Sequence, residues 1–316
     1  MMTQNRKTLA HMNGSLVLTD GGMETTLIFH EGLDLPHFAA FPLIDSDEGR
    51  AALTRYYERY LGLARESRLG FILDTPTWRA SPDWAPRLGY DLAALRRVNI
   101  DGVRFVQHLR DEWSSAVSPC VINGVIGPRG DGYVAGTMDP SAAEDYHAFQ
   151  AEALAAAGVD MISAMTMNTI GEATGIARAA AALGLPHVIS FTLETDGRLV
   201  GGASLREAIE SVDEATGGSP AYYMINCAHP LHLEGAIGTG EAWTARLGGL
   251  RANASTLSHA ELDEAETLDE GDPADLGRRY RALQRSHPGL RVVGGCCGTD
   301  HRHVEAIRDA CLDAVA

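Results

Sequence analysis

The sequence of 316 residues has few cysteines, an excess of acidic over basic residues and no long apolar run. Its five cysteines, two of them adjacent, do not form the disulfide framework of a small secreted protein. The net charge of −16 argues against nucleic acid or an anionic membrane surface as a partner. No apolar stretch approaches the length of a membrane span. These absences favour a protein of the reducing cytoplasm whose cysteines bind metal or take part in catalysis.

The sequence also lacks a recognisable targeting segment and a linker. The first 13 residues are polar and contain no apolar region, so we expect no secretory signal and a cytoplasmic location. No shift in composition marks a domain boundary, and residues 1–316 are therefore predicted to form one domain. The acidic stretch 255–271 is long for a loop, and we interpret it as a surface excursion or a lid.

Strand-like apolar runs alternate eight times with helical segments. Strands are predicted at 16–20, 71–74, 121–126, 159–164, 187–193, 222–227, 250–254 and 291–295. The predicted helices include 91–113, 233–247 and 300–314. This alternation predicts a parallel sheet, and eight units predict a closed (β/α)8 TIM barrel. An open doubly wound sheet is the alternative, but the even repeats and the lack of G-x-G-x-x-G after the first strand disfavour it.

Two adjacent cysteines follow the last predicted strand in the run Val293-Gly294-Gly295-Cys296-Cys297-Gly298-Thr299. Neighbouring cysteines rarely bond to each other, because the resulting ring is strained. The flanking glycines allow a sharp turn that directs both sulfurs towards one ion. Cys227 ends the sixth predicted strand, and active sites of such barrels lie at the carboxyl ends of the strands. We therefore predict one zinc ion held by Cys227, Cys296 and Cys297, with an open fourth position as in catalytic sites.

Polar and glycine-rich runs follow other predicted strands at the same face. The run Asp20-Gly21-Gly22-Met23-Glu24 ends the first strand, and Asp74-Thr75 ends the second. Asp20 has two interpretations, a cap of the turn or a contact to a ligand that approaches the glycine backbone. We favour the ligand contact.

At these residues the sequence resembles the homocysteine S-methyltransferase family, which includes betaine–homocysteine methyltransferase and S-methylmethionine-dependent enzymes. The resemblance spans nearly the whole chain. It is carried by Asp20-Gly21-Gly22-Met23, Gly127-Pro128-x-Gly130, Asn226-Cys227 and Gly294-Gly295-Cys296-Cys297-Gly298-Thr299. The resemblance implies a (β/α)8 barrel and a zinc held by the three cysteines. Within it, we expect substrate contacts from Asp20, Gly22, Met23, Asp74, Thr75 and Asn226.

The activity implied by the resemblance is transfer of a methyl group from a sulfonium or ammonium donor to a thiol. The thiol would be homocysteine and the product methionine. Because zinc deprotonates a coordinated thiol, no protein base is assigned. The sequence leaves open whether the donor is S-methylmethionine, S-adenosylmethionine or betaine, and whether the chain forms a homo-oligomer.

One position departs from the family pattern. Many members carry Phe-Glu-Thr at the end of the fourth strand, where the glutamate binds the amino group of homocysteine. Here the run reads Ala164-Met165-Thr166, and a thioether is only a weak acceptor. One hypothesis is that Asp74 supplies the missing charge. The competing hypothesis is that the acceptor thiol has no amino group or carries it elsewhere.

Other functions and other ligands remain as alternatives. A barrel hydrolase with a zinc-activated water would use histidine and carboxylate ligands. The only H-x-H motif in this sequence, formed by His301 and His303, falls at the start of a predicted helix, where we expect both side chains to point outward. A barrel that binds thiol or zinc without activity is the non-enzymatic alternative. His229 is interpreted either as a hydrogen-bond donor to the site or as a surface residue. Cys120 and Cys311 are expected in the core.

Overall fold

The structure is a computed structural model that describes residues 9–312, apart from Thr239, Glu266 and the side chain of Asp263. Eight parallel strands pair in sequential order, and the eighth pairs with the first to close the barrel. The predicted (β/α)8 TIM barrel is thus confirmed. The outer ends of the predicted 1–316 domain, including the last residues of the predicted helix 300–314, lie outside the described residues.

The strands are β1 Val17–Leu18, β2 Gly70–Asp74, β3 Cys120–Ile126, β4 Met161–Met167, β5 His187–Phe191, β6 Tyr222–Asn226, β7 Leu247–Ala252 and β8 Val292–Gly295. The helices are α1 Met23–Thr25, α2 Asp47–Ser67, α3 Leu92–Trp113, α4 Pro140–Ala157, α5 Ile170–Ala182, α6 Leu205–Thr216, α7 Pro230–Leu233, α8 His259–Asp263, α9 Pro273–Ser286 and α10 His301–Leu312. None of these described helices is both long and apolar enough to cross a membrane.

Local sequence signals explain where the long helices begin and end. Ser46 accepts a hydrogen bond from the Gly49 amide and caps α2. Asp139 caps α4, and Pro140 occupies the first helical position, where no amide hydrogen is needed. Gly158 ends the same helix in the left-handed conformation. These signals fix the helices that cover the outside of the barrel.

The apolar core has two parts. The larger part lies between the strands and the surrounding helices. As predicted, Cys311 is buried in this part of the core, and the partly buried Cys120 packs against the same part. The smaller part consists of Leu9, Val17, Ile72, Val121, Met161, Val188, Tyr222, Met224 and Val292. These residues come mostly from the amino-terminal halves of the strands. The opposite, carboxyl ends of the strands are therefore left to polar side chains.

The prediction for residues 233–247 is wrong. The described residues of this range, all but Thr239, form no long helix: α7 ends at Leu233, a 3-10 segment covers Ala242–Arg246, and β7 begins at Leu247 rather than at 250. Gly240 has a φ of 79°, so a regular right-handed helix cannot run through this position. The strand start was missed because of Gly248: a Cβ atom there would lie 2.6 Å from the Tyr222 ring. Close strand packing therefore requires a residue type that ordinarily signals a turn.

The first, fourth and fifth predicted strands also differ by two or more residues at an end from the observed ones, and the fifth ends at Phe191 rather than at 193. The first strand is shorter than predicted, with only Val17–Leu18 in the ladder. The fourth was predicted at 159–164 but runs over Met161–Met167. Its register shifts between Ala164 and Met167, and Thr166 in that shift has a φ of 64°, which is unusual for a β-branched residue. The irregular end of β4 lies at the site described next.

Candidate metal and substrate site

A cavity of about 310 Å³ opens at the carboxyl ends of the strands. All nine residues that the sequence predicted for the site line it: Asp20, Gly22, Met23, Asp74, Thr75, Asn226, Cys227, Cys296 and Cys297. They come from the ends of β1, β2, β6 and β8, which are far apart in the chain. Closure of the barrel therefore brings the predicted residues into one cavity.

The three cysteine sulfurs form a compact cluster. The Cys227 sulfur lies 2.7 Å from that of Cys296 and 4.0 Å from that of Cys297, and all three lie within 4.8 Å of one another. None is in a disulfide. Two thiolates bound at 2.3 Å to one tetrahedral ion would be about 3.8 Å apart. The donor set and its spacing therefore fit a single metal ion after a shift of about 1 Å between Cys227 and Cys296.

Backbone turns hold the cysteines in place. Cys227 has a φ of 53°, so the chain turns sharply as it leaves β6. The Cys296 carbonyl accepts hydrogen bonds from the amide and hydroxyl of Thr299. A Cβ atom on Gly22 would lie 2.6 Å from that carbonyl oxygen. Glycine is therefore required at position 22, because the loop after β1 packs directly on the cysteine loop.

The Asn226 side chain connects the cluster to β4 and β5. Its Nδ2 donates to the Cys227 sulfur at 3.2 Å and to the Thr166 hydroxyl at 2.9 Å. Its Oδ1 accepts from the Ser190 hydroxyl at 2.7 Å and from the Thr166 amide at 2.9 Å. Asn226 is buried, so each of these bonds forms away from solvent. Asn226 thereby fixes the orientation of the Cys227 side chain and the unusual backbone of Thr166.

Hydrogen bonds among the three thiols give the cysteines different pKa values. Hydrogen bonds from Cys296 and Cys297 lower the pKa of Cys227 well below its usual value. The hydrogen bond to Cys227 raises the pKa of Cys296 to about 12. A cation binding here has to displace the protons held on the cluster, because thiolates are the metal ligands.

Tyr133 lies next to the cysteine cluster and was not predicted from the sequence. Its hydroxyl lies 3.8 Å from the Cys297 sulfur, and its ring stacks on His259 with centroids 4.2 Å apart. Burial raises the pKa of Tyr133 well above its usual value, so the phenol stays protonated and can donate. No spacing in the sequence links Tyr133, in the loop after β3, with His259, at the start of α8.

A buried arginine joins the two aspartates predicted for substrate binding. Arg251 of β7 forms ion pairs with both Asp20 and Asp74, and its Nε donates to the Gly295 carbonyl at 3.2 Å. Asn123 also donates to Asp74, at 2.7 Å. Both carboxylates are therefore engaged within the protein, which weakens the hypothesis that Asp74 binds a substrate ammonium group.

Glu24 is a second residue that was not assigned a role from the sequence. Its half-buried side chain lines the cavity and forms no ion pair with any described residue. Burial, with smaller contributions from the nearby Cys296 and Asp20, raises the pKa of its carboxyl to about 7. Met165, at the position of the family glutamate, is buried and lines the same cavity.

The histidines lie outside the cavity wall, except His259. The prediction that His303 points outward is wrong: it is fully buried, with Nδ1 3.0 Å from Asp300 and Nε2 2.7 Å from the Glu270 carbonyl. His301 is half-buried. Since neither lines the cavity, the H-x-H motif offers the hydrolase alternative no ligand. His229 is buried rather than exposed, and its Nδ1 accepts from the Leu231 amide at the start of α7.

The acidic stretch 255–271 contributes to the cavity wall. It carries α8, which begins with a capping box between Ser258 and Glu261. The Ser255 hydroxyl donates to Asp269 at 2.6 Å and ties the two ends of the stretch together. Leu262 and Leu268 line the cavity from this side. Glu266, within the stretch, lies outside the described residues.

The family model of homocysteine S-methyltransferases matches residues 17–311. The chain belongs to the homocysteine S-methyltransferase family, and it is a methyltransferase that acts on homocysteine. A search of curated protein sequences finds no match.

Solved structures with the same fold include two forms of the homocysteine methyltransferase MmuM from Escherichia coli. The oxidized form has a TM-score of 0.72 and the metallated form 0.68. Each is 20% identical to this chain, and the match covers 94% of this chain and 96% of MmuM. At this identity the likeness shows the fold.

Proposed function

We propose that this enzyme is a zinc-dependent methyltransferase that moves a methyl group from a sulfonium donor to the thiol of homocysteine, giving methionine. The observation that carries the proposal is the cluster of Cys227, Cys296 and Cys297 sulfurs in the wall of the cavity. Three thiolates select zinc over magnesium or calcium, which prefer oxygen ligands. Three cysteines from strand ends leave a fourth position for the substrate sulfur.

The chemistry divides between the metal and the chain. When bound, zinc would supply a Lewis acid that takes the place of the proton on the substrate thiol, and that proton would be released to solvent. In the reaction, a bond forms between the homocysteine sulfur and the methyl carbon while the bond from that carbon to the donor sulfur breaks. The donor leaves as a neutral thioether, so no proton has to be delivered to it.

The side chains of this protein act by positioning. Asn226 orients the Cys227 sulfur through its amide, and Tyr133 offers a hydroxyl near the Cys297 sulfur. Alignment of sulfur, methyl carbon and leaving group accounts for a large share of catalysis in such a displacement. We propose that the stretch 255–271 closes over the bound substrates as a lid and excludes water, because it already forms one wall of the cavity.

The remaining parts of the proposal concern the setting of the enzyme. Residues 1–316 are proposed to act as one domain with two small-molecule partners, the thiol and the methyl donor. Free thiols are needed at the site, and all five cysteines are free in the structure. A reducing cytoplasm is therefore the proposed compartment.

The test combines donor choice, metal removal and paired cysteine variants. The purified enzyme is assayed with homocysteine and each of S-methylmethionine, S-adenosylmethionine and betaine, with and without a zinc chelator. We expect one sulfonium donor to be used, activity to fall at least 100-fold on chelation, and zinc to restore it. Cys227→Ser should lose both zinc and activity, whereas the control Cys120→Ser, at the opposite end of the barrel, should keep both. Full activity after complete removal of metal would reject the proposal.

A further inference from the structure

An amino-acid thiol brings a positive charge into the cavity. Its ammonium group carries hydrogen-bond donors that are costly to bury without acceptors. Met165 provides only a thioether where the family pattern has a carboxylate, so the other acidic residues of the cavity are the candidates for binding the ammonium. The inference rests on the proposed function only in taking homocysteine as the ligand.

Five described acidic residues line the cavity: Asp20, Glu24, Asp74, Asp131 and Asp269. Asp20 and Asp74 are unsuitable for binding the ammonium group because each already forms an ion pair with Arg251. A substrate ammonium would have to compete with a buried guanidinium that is already in place. Separating such a buried pair leaves an uncompensated charge and is strongly unfavourable.

Two more of the five, Asp131 and Asp269, accept hydrogen bonds from residues of their own loops. Asp131 accepts a hydrogen bond from the Tyr133 amide at 2.7 Å. Asp269 accepts from the Ser255 hydroxyl at 2.6 Å and from the Gly271 amide at 3.0 Å. Both aspartates are exposed. Their charges are therefore weakened by solvent and are used to shape the rim of the cavity.

Glu24 differs from these four. It is half-buried, it lies next to Met23 in α1, and it forms no ion pair with any described residue. Gly22, two residues before it, packs its backbone against the Cys296 carbonyl, and Glu24 and Cys296 both line the cavity, so Glu24 lies on the side of the cavity that carries the cysteine loop. We propose that Glu24 binds the ammonium group of the thiol amino acid, moving the family's carboxylate from the end of β4 to the end of β1.

The experiment compares homocysteine with 4-mercaptobutyrate, which has the same thiol and carboxylate but no amino group. Binding of each to the zinc-loaded enzyme is measured by calorimetry, and KM is measured in parallel. Glu24→Gln keeps the size of the side chain and removes its charge. We expect it to weaken homocysteine binding about ten- to hundredfold, as for loss of a charged hydrogen-bond partner. Binding of 4-mercaptobutyrate should change less than twofold.

Two further variants make the test specific. Glu24→Gln combined with Met165→Glu should recover most of the preference for homocysteine, because a carboxylate returns at the end of β4. Asp131→Asn is the control for loss of an acidic group in the same cavity, and it should leave the ratio of the two affinities within twofold.

The outcomes separate this inference from the proposed function. If the enzyme binds homocysteine but transfers no methyl group, the proposed function fails while the binding ratios still test Glu24. If Glu24→Gln is folded by circular dichroism and retains the wild-type preference for homocysteine, the inference is wrong. It is also wrong if the wild-type enzyme binds the two thiols equally well or binds neither.

Discussion

Replacing Asn226 by aspartate should weaken metal binding while leaving the fold intact. The two side chains have the same shape, but the substitution turns the Nδ2 donor, 3.2 Å from the Cys227 sulfur, into a carboxylate oxygen. A hydrogen bond to a thiolate is thereby replaced by repulsion between two negative groups. The same change reverses the bond to the Thr166 hydroxyl, which has to donate to the carboxylate instead of accepting from the amide.

The expected magnitude follows from the role of groups that orient metal ligands. Loss of such a group costs about 10- to 100-fold in metal affinity or activity. For Asn226→Asp we expect the upper half of that range, because the residue is 1% exposed and the new charge has little solvent around it. Zinc affinity is measured by competition with a chromophoric chelator at pH 7.5, using protein with fully reduced thiols.

A matched control is available at the end of the next strand. Asn253 is also buried and also lines the cavity, but no described hydrogen bond joins its side chain to a sulfur. Asn253→Asp should therefore change zinc affinity less than threefold. Equal zinc affinity in Asn226→Asp and the wild type would show that this amide does not orient the cysteines, and would refute the reasoning.

Two further predictions concern the framework around the site. Arg251→Met should lower the free energy of unfolding by about 3–5 kcal/mol, since it leaves two buried carboxylates without a cationic partner. Urea titration measures the loss of stability. The control is Arg278→Met, which removes an exposed ion pair with Asp275 and should lower the free energy of unfolding by less than about 1 kcal/mol. An Arg251→Met protein as stable as the wild type would show that Arg251 does not neutralise the two buried aspartates. Gly22→Ala should displace the Cys296 carbonyl and lower zinc content, whereas Gly62→Ala, with open space around it, should not. Full zinc occupancy in Gly22→Ala would show that the two loops do not pack as described.

The barrel and the cysteine cluster were predictable because their signals are local. Each strand end carries its own polar or glycine-rich run, and the alternation of strands and helices determines where those ends meet. Cys227 and the pair Cys296 and Cys297 each follow an apolar run, so the rule that active sites lie at strand ends brings them together.

The partner of the two aspartates was not predictable in the same way. Arg251 lies inside a strand whose start was predicted three residues too late, and its partners Asp20 and Asp74 are 231 and 177 positions away in the sequence. No periodicity relates such residues. Only closure of β7, β8, β1 and β2 into one wall places the guanidinium between the carboxylates.

Glu24 and Tyr133 were missed for different reasons. Glu24 was visible in the run after the first strand, but nothing in the sequence distinguished a carboxylate free to bind substrate from one held by arginine. Tyr133 lies in a loop without regular structure, where position cannot be inferred from a repeat. In both cases the role depends on what the neighbouring side chains already bind.

The most direct measurement is X-ray absorption spectroscopy of the zinc-loaded enzyme before and after addition of homocysteine. Binding by Cys227, Cys296 and Cys297 predicts one zinc per chain with three sulfur neighbours at about 2.3 Å and one lighter atom. Homocysteine should replace the lighter atom with a fourth sulfur. Fewer than three sulfurs in the free enzyme, or no gain of sulfur with homocysteine, would contradict the proposal that this cluster is the site of thiol activation.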